Sequence, residues 1–379
     1  MLLDMEDIEE FGGLGDLYMS ESGNTAALIR YDYEAGQLLY RLMDCVSAEL
    51  LSAGAIDCDW SLSLASSYLT EDGKFISNGC IYDLRENAVS SLIIPNSARD
   101  SYNYWAYVNE SAPNGTVLTA AVQQTSEGEP VLALWRDGVL DSIQPLPESG
   151  DKDPYMSPQA DCVKVGANGY AIVSVKAGYF EAPEYYVCNM LSGNWQALEL
   201  AGETEGSFLA LAREKALAAC VSGGELYIEN LAENSRISCD CGGISPQAVA
   251  RLMFACEDGY LFVFFSTGSL AVIDSESGEL VSQLNYRNYG VEFKDYCRYS
   301  IKDSLAGDKL IIVYDGGYST DVCFTLDMQS MERAGEFFAV SGYVPSRNEL
   351  IIIPYAEDVY AVPLLSLEEL MNLAGEKLA

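Results

Sequence analysis

Apolar residues along this 379-residue chain fall in short runs parted by polar turns. The stretch from Glu257 to Leu284 shows the pattern most clearly. Residues 261–265 are apolar on both faces, 270–273 nearly so, and 280–284 alternate with Ser282 and Gln283. Two tight turns separate them, Asp258-Gly259 and Asp274-Ser275-Glu276-Ser277-Gly278. Runs this short, bounded by turn residues, predict antiparallel strands, with inner strands covered on both faces and an outer strand facing water.

Versions of this unit recur from end to end. One family of turns places an Asn/Asp-Gly pair or a relative before an apolar run, a strong hairpin signal. It occurs at Gly15-Asp16, Asp72-Gly73, Asn114-Gly115, Asn168-Gly169, Asp258-Gly259, Gly307-Asp308 and, weakly, Asn348-Glu349, with a degenerate copy at Glu214-Lys215. A second family begins with Asp or Asn and ends four residues on with Gly or Asn. Its copies are DYEAG (32–36), DLREN (83–87), NMLSG (189–193), NLAEN (230–234) and DSESG (274–278), with worn forms at Asp137-Gly138 and DMQSM (327–331). The first side chain can cap the turn's amides, and the last residue tolerates left-handed φ.

The two families interleave, so each period holds one strand before the first turn, two between the turns and one after the second. Four antiparallel strands roughly every 45 residues is the repeat of a β-propeller blade. The second turn, in YDYEAGQLLY and IDSESGELVS, resembles the A-x-D-x-x-T-G-K-x-x-W signature of quinoprotein-like blades, and the whole chain is similar in architecture to WD40-like propellers. Tyr40 and Ser282 stand where the signature has Trp, and Gln37 and Glu279 where it has Lys; the Trp-Asp and Gly-His pairs of WD40 repeats are missing. The resemblance implies an all-β propeller of eight four-stranded blades, alternatively seven. First strands are expected near residues 5, 60, 101, 161, 206, 248, 294 and 338.

Residues 1–364 read as one propeller domain. The last blade runs into a helix signal over 365–379, where Ser366 and Glu369 form a capping box and Leu367, Leu370, Met371, Ala374 and Leu378 make one apolar stripe.

Charge narrows the partners. There are 57 acidic and 21 basic residues and no histidine, for a net charge of −36. Such a chain repels polyanions, so neither nucleic acid nor an anionic membrane is an expected partner, and a basic protein or peptide is. The eleven cysteines fall partly within apolar runs (Cys80, Cys188, Cys220, Cys323), which suits buried reduced thiols. The first ten residues carry acids where a secretory leader carries bases, so a cytoplasmic location is expected, or an extracellular one if a leader has been removed.

Catalytic signatures are scarce. Without histidine there is no Ser-His-Asp or Cys-His machinery. Neither G-x-S-x-G nor GxxxxGK[ST] occurs. Cys239-Asp240-Cys241 lacks the second cysteine pair that zinc usually takes, and its expected place is an outer strand. DSESGE offers carboxylates for calcium, but its place in the repeat explains it as a turn. No cofactor is expected.

Three connections look long: 45–57, 145–160 and 284–296. The last carries Tyr286, Arg287, Tyr289 and Lys294, a basic aromatic cluster in an acidic chain. Tyr155, Tyr179 and Tyr318 sit in loops expected on the same face. Tyr and Arg are typical interface anchors, so these residues form the expected binding surface; the alternative is that the tyrosines pack between blades. The reading is a non-catalytic scaffold or sensor that binds a protein or peptide through one face. The alternative is a carboxylate-based enzyme, or a carbohydrate-like small-ligand site, at the channel mouth.

Overall fold

Six turns are written by one device. An Asp or Asn side chain folds back onto the amides two and three residues ahead. Asp32 accepts from Glu34 and Ala35, Asp44 from Val46 and Ser47, and Asp83 from Arg85 and Glu86. Asn189, Asn230 and Asp274 repeat it with Leu191 and Ser192, Ala232 and Glu233, and Glu276 and Ser277. The fifth residue of each turn (Gly36, Ala48, Asn87, Gly193, Asn234, Gly278) then adopts left-handed backbone, with φ between 51° and 75°.

The computed structural model describes residues 16–58, 67–77, 79–95, 97, 107–112, 114–147, 159–176, 183–198, 209–255, 258–285, 298–303, 309–315, 322–327, 333–338, 340–344, 349–352 and 360–363, with side chains through 283. They form seven four-stranded antiparallel sheets and one of three strands. The first sheet runs in order through β1 (Asp16–Met19), β2 (Thr25–Asp32), β3 (Gln37–Asp44) and β4 (Glu49–Asp57). First strands of the later sheets are β5 (Tyr68–Leu69), β9 (Tyr107–Ser111), β13 (Gln159–Val165), β17 (Leu209–Leu211), β21 (Val249–Ala255), β25 (Arg298–Asp303) and β29 (Val340–Val344). These first strands neighbour one another from β1 through β25, and β29 returns to β1, so the sheets close a ring with the first strands innermost. No helix among the described residues is long and apolar enough to cross a membrane.

The core lies between sheets. Strand β10 (Val117–Gln124) sends Leu118, Ala120 and Val122 toward the fourth sheet and Val117 and Ala121 toward the second. Strand β18 (Leu217–Ser222) likewise sends Leu217, Ala219 and Val221 one way and Ala218 and Cys220 the other. Because side chains alternate with period two, a strand packed on both faces is apolar at most positions; the buried exceptions in β10, Thr119 and Gln123, donate hydrogen bonds to Asn109 Oδ1 and the Leu92 carbonyl. In β22 (Tyr260–Phe265), Phe262, Phe264 and Phe265 are fully buried, each contributing about 1.5–3 kcal/mol. Fourth strands face water: β8 (Ala88–Ser91) is exposed throughout and β12 (Val139–Pro145) alternates. Tyr40 is buried and donates to Asn87 Oδ1 across the first two sheets.

The first sheet departs from expectation. Its first described strand is β1, the expected strand near residue 5 lying outside the described residues, and Asp16 opens β1 instead of a turn. The β1–β2 turn is Ser20–Asn24, where the Gly23 amide donates to the Ser20 carbonyl. DYEAG therefore joins the second and third strands, and the third-to-fourth turn is Asp44–Ala48. The expected loop at 45–57 is mostly strand β4. Ala48 hid that turn, since it occupies left-handed backbone at a cost of about 1–2 kcal/mol where Gly or Asn is usual. Residues 365–379, the expected helix, lie outside the described residues.

Candidate functional site

Strands alternate direction, so the first-to-second and third-to-fourth turns share one face of the ring. On that face two of the described turns are held by a neighbouring sheet. Glu71 accepts from the Ser22 amide at 2.8 Å, and its carbonyl accepts from Thr25 Oγ1. The turn between β17 and β18 is held from both sides. Asn168 Nδ2 donates to the carbonyls of Ala212 and Lys215, while Asp258 accepts the amides of Arg213 (3.0 Å), Glu214 (2.5 Å) and Lys215 (2.8 Å). Asp258 is 2% exposed and has left-handed backbone. This is the degenerate Glu214-Lys215 turn. It has no Gly because its conformation is imposed from outside.

The clamp aims Arg213 across the ring. Its Nη2 lies 2.9 Å from Glu21 Oε1, which comes from the β1–β2 turn 192 residues away. Its Nε lies 3.4 Å from Glu110 Oε1 on β9. Guanidinium, first-sheet carboxylate and third-sheet carboxylate thus meet on the axis. Burial opposes the charge of Arg213, but Glu21 and Glu110 outweigh it and hold the group charged. Tyr68 on β5 borders the cluster, its hydroxyl kept protonated first by the Glu110 charge and then by burial. Lys164 on β13 is pulled below its usual range by burial and by the like charge of Arg251 on β21, with Glu110 opposing.

Arg213 joins Glu21 and Glu110, and Tyr68, Lys164 and Arg251, from three further inner strands, lie within reach of these charges. Two acids do meet beside an aromatic ring, but both carboxylates are engaged by Arg213.

Tyr155, Tyr179, Tyr286, Arg287, Tyr289, Lys294 and Tyr318 all fall outside the described residues. The convergent cluster escaped sequence reading because its members are never adjacent. A usable signal was present, namely charges inside otherwise apolar first strands, as in DCVKV (161–165) and VARLMF (249–254).

Two further expectations can be placed. Asp274 Oδ1 accepts from the Glu276 and Ser277 amides and from Ser277 Oγ, so this carboxylate is engaged in its own turn. Cys239 and Cys241 sit just past the outer strand β20 (Ser235–Ser238), not within it, and burial pushes their thiols to about 12 and about 11.

No protein-family model and no curated protein matches the sequence. Solved structures do match. The Dos1 propeller aligns over 93% of both chains at 11% identity and TM-score 0.55. Chaetomium thermophilum Sqt1, solved bound to the N-terminus of ribosomal protein L10, aligns over 93% of this chain and 96% of its own at 12% identity and TM-score 0.53. The computationally designed Ika8 protein aligns over the same shares at 13% identity and TM-score 0.53. The chain is a β-propeller. At these identities the likeness concerns the fold alone.

Proposed function

We propose that this propeller, of the WD40-like or quinoprotein-like kind, is a cytoplasmic partner-binding module that engages a basic protein or peptide. The observation that carries this reading is the contrast between the two ends of the sheets. On the face of the hairpin turns, short turns satisfy their own amides and clamp one another, and Arg213 bridges the axis. The connections between sheets leave from the other end. The one between β24 (Leu280–Asn285) and β25 carries Tyr286, Arg287, Tyr289 and Lys294. Tyr155, Tyr179 and Tyr318 belong to connections flanked by the same strand ends. Flat aromatic surface and guanidinium are the usual anchors of a protein interface. Net charge −36 draws a basic partner electrostatically. Sqt1, with the same architecture, was solved holding a protein N-terminus.

The test is the triple replacement of Tyr286, Arg287 and Tyr289 by Ala, assayed for capture of partners and for melting on one preparation. Loss of capture with melting unchanged supports the reading. Early melting with capture intact means that these tyrosines pack between sheets, and sinks it.

A further inference from the structure

A ring of sheets leaves its outermost strands as edges, with a row of amides and carbonyls turned outward. Most of the described outer strands are blunted. Strands β8, β16 (Asn194–Leu198) and β20 are four, five and four residues long, and β24 has six. Strand β12 carries Asp141 and Pro145, and β28 (Arg333–Phe338) carries Arg333 and Glu336. Strand β4 has none of these devices. It runs nine residues, and between Glu49 and Asp57 its sequence, LLSAGAI, holds no charge and no proline. Among the described residues it ends its sheet, and Glu49, Leu50, Ala53, Gly54 and Asp57 are exposed. The direction of its amides follows from its last turn. The Cys58 amide donates to the Gly36 carbonyl at 3.0 Å, and the register continues with Ile56 opposite Leu38 and Gly54 opposite Tyr40. Amides alternate in direction along an antiparallel strand, so those of Ala53, Ala55 and Asp57 point away from β3.

We propose that this edge takes up an extended segment of a basic protein as a fifth strand of the first sheet, paired to β4 through the outward backbone groups of Ala53, Ala55 and Asp57. Charge selects the occupant. A second copy paired antiparallel about Ala53 would set Glu49 of each molecule against Asp57 of the other, and each molecule carries −36. Like charges directly opposite one another are destabilising. A segment with a basic residue at each end of a β-branched run instead meets Glu49 and Asp57 with opposite charge. Gln37 Nε2 donates to Asp57 Oδ1 at 2.7 Å, which fixes that carboxylate at the strand end without neutralising it. Ala53, Gly54 and Ala55 put no bulk along the middle of the edge. This surface is the outer wall of the ring, and the inference does not depend on the partner-binding connections proposed above.

The probe is a labelled nine-residue synthetic peptide of alternating threonine and valine with lysine at each end, titrated with the full-length protein and followed by fluorescence anisotropy. It should bind saturably. The same peptide with glutamate at each end, or with alternate backbone nitrogens methylated, should bind at least tenfold more weakly. A55P removes an outward amide, a change that edge strands accommodate, and should weaken the probe at least tenfold. E49Q/D57N leaves the backbone untouched and should weaken it at least fivefold. E233Q/E276Q removes the same charge from exposed turns and should leave binding unchanged. Should A55P fold poorly, E49Q/D57N carries the test. Hydrogen exchange should find the Ala53 and Ala55 amides fast in the free protein and slowed by the probe. Absence of saturable binding, equal binding of the methylated peptide, or binding that E49Q/D57N leaves intact overturns the proposal. So does slow exchange of both amides in the free protein, since another segment of the chain or a second copy would then already cover the edge.

Discussion

Replacing Asp258 with alanine tests the idea that the ring is held by side chains reaching from one sheet into the turn of the next. The carboxylate is 2% exposed and accepts three amides, those of Arg213, Glu214 and Lys215, at 3.0, 2.5 and 2.8 Å. Hydrogen bonds to a charged group contribute about 1.5–3 kcal/mol each, and orphaned buried donors about 1–3 kcal/mol. The turn lies partly in water, which recovers some of this, so D258A should cost about 3–5 kcal/mol. For a chain of 379 residues the entropy of unfolding is about 0.8 kcal/mol/K, which sets the fall in Tm at about 4–6 °C. D258N keeps an acceptor and tolerates left-handed φ, and should lose about half as much. E276Q serves as control. Its side chain is 80% exposed and meets Lys215 at 3.3 Å, so it should stay within about 0.5 kcal/mol. Thermal unfolding followed by circular dichroism reads all three. Equal melting of D258A and wild type would refute the clamp.

Other expectations follow from burial and charge. The described cysteines are free, and burial raises the Cys162, Cys188 and Cys220 thiols to about 12, so a thiol reagent should label them slowly until denaturant exposes all eleven; rapid native labelling would contradict the packing. The Asp44 and Asp274 carboxyls are held below the usual range, first by the Ser47 and Ser277 amides respectively. A depressed folded-state value contributes stability above about pH 4 that is lost as pH falls through it. D44N/D274N should therefore flatten the acid limb of the stability profile, and an unchanged limb would disprove the capping role. Added sodium chloride should raise Tm, because screening shortens from ~10 Å at 0.1 M to ~3 Å at 1 M and relieves self-repulsion at −36. A flat curve would mean that the acids are already locally paired.

What the sequence determined by itself was whatever is local. A strand buried on both faces reads as an unbroken apolar run, and a turn that caps its own amides carries its Asp or Asn in plain sight, so the sheets and most turns were legible. The first sheet shows the limit of that legibility. DYEAG is the expected turn chemically, yet it joins the second and third strands, while Asp44–Ala48 performs the same job without the Gly or Asn that would betray it. A turn's residues fix its shape but not its place in the sheet, which register and closure decide. The degenerate Glu214-Lys215 turn makes the same point, since its shape comes from Asn168 and Asp258 on neighbouring sheets. Only the tertiary structure could assemble the axial cluster. Glu21 and Arg213 are 192 residues apart, and closing the ring is what brings the first and fifth sheets within reach of one guanidinium.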